Sequence, residues 1–271
     1  MSRWEAKHKF WLRDRGTGRW FLFKYSRANT GEHWPEKVAS EVAELLGLPH
    51  ARVELATCED AAGVLVEDLR RDREAMSLLH GNELLVELDP SYPSQRDYRV
   101  SEHTIARVEQ ALRDHRVELL DPPILGTVLP AEVDDAFGLF VGYLLLDAII
   151  CNTDRHHENW GVVATKSAKG SRVLQLAPTY DHASSLGREL DDARRSGRLR
   201  SKGVHGVPGY VERARSALYE TAGDEKPLSP RAAFLRAGAL RASARDARLR
   251  RCESVGLQAL EQHFRERNDS V

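Results

Sequence analysis

The stretch LLLDAIICNTDRHHENWGVV, Leu144–Val163, constrains the chain more than any other. Upstream of its polar part, Val133, Phe137, Phe140, Leu144 and Ala148 recur at helical spacing. The positions between them are also mostly apolar, which predicts a helix starting near Ala131 and buried on nearly all sides. That helix stops in a burst of Asp, Arg, two His, Glu and Asn, and an apolar run resumes at once. So dense a group of ionisable side chains exceeds what an ordinary turn needs. A helix of this kind also needs a large core around it, and 271 residues with 41% hydrophobic content can supply one, as one large domain or two lobes.

The rest of the chain divides by character. KFWLRD and RWFLFKY flank the glycine-bearing turn RGTG, the signature of a hairpin. HWPEKVASEVAELLGL reads as one amphipathic helix, with Pro35 near its start, a stripe of Val38, Val42, Leu45 and Leu46, and Gly47 near its end. RVELATC and AGVLVEDL add two strands and close a small sheet by about Leu69. Beyond it a helix capped by Ser101 carries Ile105, Val108 and Leu112. WGVVA and RVLQLAP around KSAKGS form a second hairpin, and the tail from Ser229 reads as helix. Gly187 to Gly209 reads as a polar, mobile segment. The expectation is an α+β chain of two lobes, a β-rich one over residues 1–69 with one helix and a larger, mainly helical one over residues 70–271.

Several classes are disfavoured. Forty basic against 41 acidic side chains give a net charge of −1, so no global field draws the chain to nucleic acid or an anionic membrane. The longest apolar stretch, Phe137 to Cys151, is shorter than the roughly 20 residues of a membrane span and carries Asp147. Asp147 is expected to be hydrogen-bonded structure that fixes the neighbouring loop. Cys58, Cys151 and Cys252 are far apart and lack zinc-site or disulfide spacing, which together with a charged N-terminus suggests a cytoplasmic protein.

Protein kinases place an Asp and an Asn five positions apart, a second Asp beyond a short hairpin, and a Lys on a strand of the small lobe. Asp154, Asn159, Asp181 and Lys24 supply that order. A hairpin centred near Lys169 folds the chain back and carries Asp181 towards Asn159. Magnesium accepts a few oxygen donors and fills its shell with water and phosphate, so one carboxylate and one amide suffice. Lys24 shares a strand face with Leu22 and Trp20 and needs a partner anion. Glu41, at the edge of the Val38, Val42 and Leu45 stripe, is the expected partner, with Glu44 second, whereas Glu36 and Lys37 fall outside the stripe.

NTDRHHEN, LAPTYDHASSLG, FLFKY, and GVLVEDL followed by LLHGNELL together resemble the HipA-like family of bacterial serine/threonine kinases. The resemblance spans roughly Phe21 to Leu186. It implies a bilobed protein-kinase-like fold, ATP with magnesium, and phosphate transfer to a protein hydroxyl. It assigns Asp154 as catalytic base, Asn159 and Asp181 as metal ligands, Lys24 as the phosphate-binding lysine, and Val66, Glu67, Asp68 and Leu69 as the hinge that meets adenine. It implies a protein substrate, which stays unidentified; an antitoxin or other regulatory partner is a candidate that the resemblance does not by itself carry over, and the charge and hydropathy above give no membrane and no direct nucleic-acid role. NTD stands where ordinary protein kinases have HRD, and no G-x-G-x-x-G precedes Lys24. The phosphate-covering loop is therefore either the stretch before Lys9 or the RGTG turn. Family members that are longer carry a further N-terminal subdomain, and this chain begins almost at the nucleotide lobe.

Other readings stay open at this level. DRHxxN also resembles the catalytic stretch of phosphatidylinositol kinases, and a nucleotide-binding pseudokinase would share most of these residues. His156, His157 and His182 raise a zinc-hydrolase reading, although they lack a ligand spacing. Ser26, Thr30, Ser184 and Ser185 are close enough in sequence to the site to be autophosphorylated. Arg188, Arg194, Arg195, Arg198, Arg200 and Lys202 form a solvated face or a platform for an acidic substrate. The arginines between Arg231 and Arg251 are expected on the wet side of the terminal helices.

Overall fold

A computed structural model describes residues 9–26, 33–96, 98–120, 127–167, 169–188 and 190–268. The first hairpin pairs β1 (Lys9–Arg13) with β2 (Trp20–Tyr25), and β3 (Val53–Cys58) and β4 (Ala61–Glu67) complete an antiparallel sheet of order β1-β2-β4-β3. Side chains alternate across this sheet, so Lys9, Trp11 and Arg13 lie opposite Lys24, Leu22 and Trp20 on one face. Leu22, Leu69 and Tyr180 pack there against a small core of Ala51, Val53, Val64 and Val66. Phe23 is buried on the other face and stacks with Phe10 at 5.2 Å.

Helix α1 (His33–Leu45) crosses this sheet; Val42 and Leu46 of the expected stripe are buried, and a second row beside them is buried as well. Glu36, Ala39, Ser40 and Ala43 are buried at i, i+3, i+4 and i+7, and Ala39 and Ala43 are fully enclosed. Small residues let the helix approach the strands closely, and periodicity counted on large apolar residues passes over them. Gly47 ends the helix at φ 63°, with Leu48 N donating to Ala43 O at 2.9 Å.

The larger lobe is built around α4 (Ala136–Ile150). Asp135 caps it by accepting from Gly138 N, so it starts five residues later than Ala131 suggested. Thirteen of its 15 residues are buried, so core packing does most to fix its position. Phe140 meets Trp160 at 5.7 Å between ring centroids, and truncating such a side chain costs about 3–5 kcal/mol. Cys151 adopts left-handed dihedrals (φ 55°) and turns the chain out of the core. Helices α2 (Gly81–Leu88) and α3 (Ile105–Asp114) pack beside α4, with Thr104 rather than Ser101 capping α3. A second sheet of order β5-β6-β7 joins β5 (Ser77–His80), β6 (Gly161–Lys166) and β7 (Arg172–Leu176). The hairpin β6-β7 follows the sequence expectation, whereas four-residue β5 carried no signal.

The segment from Gly187 to Gly209, expected to be mobile, contains α5 (Asp192–Arg200), a 3₁₀ turn at Gly203–His205 and the start of α6 (Val207–Arg213). Asp191 caps α5 through Arg194 N at 2.7 Å, and Arg198 stacks on Tyr210. Caps and cation–π contacts hold it without an apolar stripe. Helices α7 (Pro230–Leu240), capped by Ser229, and α8 (Ala242–Asn268), kinked at Gly256, complete the lobe. Arg248 of α8 is buried, contrary to the solvated reading of these arginines. Its Nη1 donates to Gly47 O, and Arg251 Nη2 donates to Leu45 O at 2.8 Å, so two cations close the C-terminus of α1.

Candidate active site

The residues between α4 and β6 form a tight loop fixed from below. Asp147, one turn before the end of α4, is 1% exposed and receives Arg155 Nε at 2.8 Å and Nη2 at 2.7 Å. Asn152 Nδ2 also donates to it at 2.8 Å. Arg155 is fully buried, and its Nη1 donates to Asn159 O at 2.5 Å. The fork of Arg155 thereby sets both ends of the loop, the role expected of Asp147.

On this base Asn159 Nδ2 donates to Asp154 O at 2.6 Å, which leaves Asn159 Oδ1 as an oxygen donor. Two ties bind the loop to the segment after β7. Thr153 N and Oγ1 donate to Ser184 O at 3.1 and 3.2 Å, and Tyr180 Oη donates to Glu158 O at 2.9 Å. Asp154 and Asp181 lie between these two ties, and Asn159 follows the second by one residue. Ser184 Oγ donates to Asp154 Oδ2 at 3.0 Å. His156 Nδ1 accepts from Glu158 N, so its proton sits on Nε2, which is 4.0 Å from Asp154 Oδ1.

Asp181 has φ 57°, a conformation that aspartate tolerates better than most residues. Its Oδ1 is 3.2 Å from Lys24 Nζ, a side-chain contact between the two lobes. Lys24 Nζ also meets Glu36 Oε1 at 2.8 Å, and Glu36 is 2% exposed. The partner of Lys24 is thus Glu36, not Glu41. Glu41 pairs with Lys37 at 2.6 Å, one turn earlier on the same helix. Burial alone would lower the pKa of Lys24, but Asp181 and Glu36 outweigh it and hold the ammonium above the ordinary lysine range. The Lys24 charge in turn holds Asp181 below the usual carboxylate range, against the opposing effect of burial.

The segment from Val66 to Leu69 divides in role. Val66 is buried in the small core, and Leu69 packs against it. Glu67 N donates to Arg52 O and Asp68 N to Trp20 O, both at 2.9 Å. The Glu67 carboxylate meets Arg19, and that of Asp68 holds Arg70 and Arg73. Arg73 stacks over Trp11 and Trp20, 3.9 and 4.5 Å from their ring centroids. In the RGTG turn Asp14 Oδ1 accepts from Gly16 N and Thr17 N. The turn is at the Arg13–Trp20 end of the hairpin, about 13 Å along the strand from Lys24. Lys9 is the strand partner of Lys24, and the stretch before it lies outside the described residues.

Amide and carboxylate oxygens of the kind found here suit a hard cation such as magnesium. Asn159 Oδ1 and the half-exposed Asp181 carboxylate are the donors that fit. Among the described residues no group of three His, Cys, Asp or Glu side chains could hold a metal ion, and His157 and His182 bond to Tyr92 Oη and Thr179 Oγ1, each at 2.8 Å. Sequence reasoning missed Glu36, Tyr180 and the Ser184 contact. For Glu36 a signal existed in the small residues Ala39, Ser40 and Ala43, which share its helix face.

A model of the HipA-like C-terminal domain family matches residues 6–205. Among solved structures the chain is similar to the Helicobacter pylori proinflammatory kinase CtkA, with 18% identity and a TM-score of 0.66 over 94% of this chain and 78% of that one. It is also similar to HipA of Shewanella oneidensis MR-1, solved with HipB and operator DNA, with 12% identity and a TM-score of 0.52. That match covers 96% of this chain and 58% of HipA, so the chain spans less than two thirds of that protein. Comparison with curated proteins gives no match. The fold is the two-lobed, kinase-like α+β fold expected from the sequence. Among the described residues no helix is long and apolar enough to cross a membrane.

Proposed function

The chain belongs to the HipA-like C-terminal domain family, and from that premise we propose that it is a protein serine/threonine kinase using ATP and magnesium. The observation that carries the reading is the Lys24–Asp181 contact at 3.2 Å, which joins the small lobe to the loop pair bearing Asp154 and Asn159. ATP with magnesium would supply the phosphoryl group and neutralise its charge. Asn159 Oδ1 and Asp181 would hold the cation, and Lys24, set by Glu36, would hold the phosphates. Asp154 would orient an acceptor hydroxyl and take its proton.

Residues 1–69 would act as the nucleotide lobe and residues 70–271 as the lobe bearing the catalytic and metal-binding side chains. Leu22, Leu69 and Tyr180, packed on one small core, suit an adenine ring. With the Glu67 and Asp68 amides engaged, the hinge contact would fall to Leu69 and to backbone carbonyls. The register argues against RGTG as the cover of the phosphates, since the turn lies at the far end of the strand from Lys24. A regulatory protein partner of the antitoxin kind and a cytoplasmic location complete the proposal.

Ser184 Oγ donates to Asp154 Oδ2, which supports autophosphorylation there. Thr30, the other candidate beside Ser26 and Ser185, lies outside the described residues. The test is incubation with magnesium and γ-labelled ATP, with recovery of label on serine or threonine of the chain or of added protein. Label should appear with wild type and fall at least about 100-fold with Asp154→Asn, the scale of general-base catalysis, while nucleotide binding survives. Nucleotide binding without any transfer would instead identify a pseudokinase.

A further inference from the structure

Asp154 also stands in the wall of a cavity of about 620 Å³ that the phosphate chemistry above does not use. The other walls come from residues 98–103, which precede α3, and residues 215–227, which precede α7. These distant segments are joined firmly. Tyr219 N donates to His103 O at 3.0 Å, and His103 Nδ1 bonds Ala217 O at 2.9 Å. Trp160 Nε1 donates to His103 Nε2 at 3.1 Å, which anchors both segments to the start of β6. Burial pushes His103 down to about 3, so it carries no charge at neutral pH.

The charged groups on the wall are Arg99, Arg215 and Lys226, against Asp154 and Glu225. Elsewhere the arginines pair freely, as Arg107 does with Asp89 and Arg241 with Asp135. None of these three cations pairs with a carboxylate among the described residues. Arg215 is held in place by Nη1 donating to Glu212 O and Ala214 O. Arg99 has φ 56°, a conformation unfavourable for a side chain of its size. The fold therefore holds it there against local preference. Tyr98 beside it is 77% exposed and stands at the rim.

We propose that this cavity is the acceptor site and takes a protein segment in which the serine or threonine is flanked by acidic residues. The proposal rests on the reading of Asp154 as the group that receives the acceptor's proton. A hydroxyl seated at Asp154 would bring its neighbours against Arg99, Arg215 and Lys226, where carboxylates complete ion pairs that the free protein leaves unmade.

The test uses the full chain with magnesium, γ-labelled ATP and three serine peptides of equal length flanked by glutamates, alanines or lysines. The glutamate peptide should exceed the lysine peptide in kcat/KM by about tenfold or more, as expected where charge complementarity sets specificity. Arg99→Glu with Arg215→Glu should abolish or invert that order while the affinity for a magnesium–nucleotide analogue stays unchanged. Lys226→Glu alone provides a second variant should the double variant misfold by circular dichroism. Equal use of the three peptides, preference for the lysine peptide, an order unaltered in the variants, or phosphorylation of phosphatidylinositol vesicles in place of peptide would each overturn the proposal. Asp154-dependent transfer without acidic preference removes the acceptor assignment alone. Absence of Asp154-dependent transfer to any acceptor removes the kinase reading with it.

Discussion

Replacing Glu36 by glutamine removes one charge and keeps the shape of the side chain. Glu36 is 2% exposed and lies 2.8 Å from Lys24 Nζ, so the lost contact is a charge-assisted hydrogen bond in a largely dry place. Such bonds contribute about 1.5–3 kcal/mol. If the bond acts on the transferring phosphate through Lys24, kcat/KM for ATP should fall about 10- to 150-fold. Lys24 keeps Asp181 at 3.2 Å, so nucleotide binding should weaken without vanishing. Glu41→Gln is the control. Its partner Lys37 also has Glu54 at 2.8 Å and Val53 O at 2.9 Å, so that variant should keep turnover within about twofold of wild type. The assay is steady-state turnover of magnesium ATP, with each variant's thermal midpoint measured alongside. Turnover by Glu36→Gln within twofold of wild type, or an equal loss in Glu41→Gln, would refute the assignment of the Lys24 partner.

Three further outcomes concern stability. His103 falls from the ordinary 6.5 to about 3, and His182 lies well below 6.5, burial being the first cause in both. Below pH 6.5 the unfolded chain therefore binds more protons than the folded one, and stability present above that pH is lost as pH falls towards the folded values. Each histidine contributes about 1.4 kcal/mol per pH unit, so urea unfolding should show a loss of roughly 3 kcal/mol by about pH 5.5, and a flat profile from pH 7 to 5.5 would contradict it. Asp147→Ala leaves the Arg155 charge buried without its partner and should cost about 3–5 kcal/mol by denaturant titration; a loss under 1 kcal/mol would mean the loop is fixed by other contacts. Arg248 is buried, its Nε and Nη2 lack hydrogen-bond partners among the described residues, and burial lowers it to about 10. Arg248→Met should therefore leave the thermal midpoint unchanged or raise it, and a clear drop would show that its bond to Gly47 O outweighs the cost of its burial.

What the sequence made legible was local. The interval from Asp154 to Asn159, the hairpin after it and the strand register of Lys24 are all set by short-range spacing, and the fold class followed from them. On α1 the expected Val42 and Leu46 are buried, but the second buried row was missed because Ala39, Ser40 and Ala43 are too small to register as apolar, though they set how closely helix and strand approach. The cap of α3 moved from Ser101 to Thr104 because a cap depends on dihedral geometry that propensity does not determine. The walls of the proposed acceptor cavity were out of reach, because residues near 99 and near 215 to 226 are far apart in sequence and are joined only by tertiary contacts such as Tyr219 N to His103 O. Ser184 against Asp154 belongs to the same class, since 30 positions separate them and two loop ties align them.

The most direct measurement is a crystal structure of the chain with magnesium and a non-hydrolysable ATP analogue. Asn159 Oδ1 and an Asp181 carboxylate oxygen should lie about 2.0–2.1 Å from one magnesium ion, with Lys24 Nζ within hydrogen-bond distance of a phosphate and still on Glu36. A nucleotide bound away from Lys24, or a metal ion that touches neither Asn159 nor Asp181, would contradict the assignment of this cleft to phosphoryl transfer.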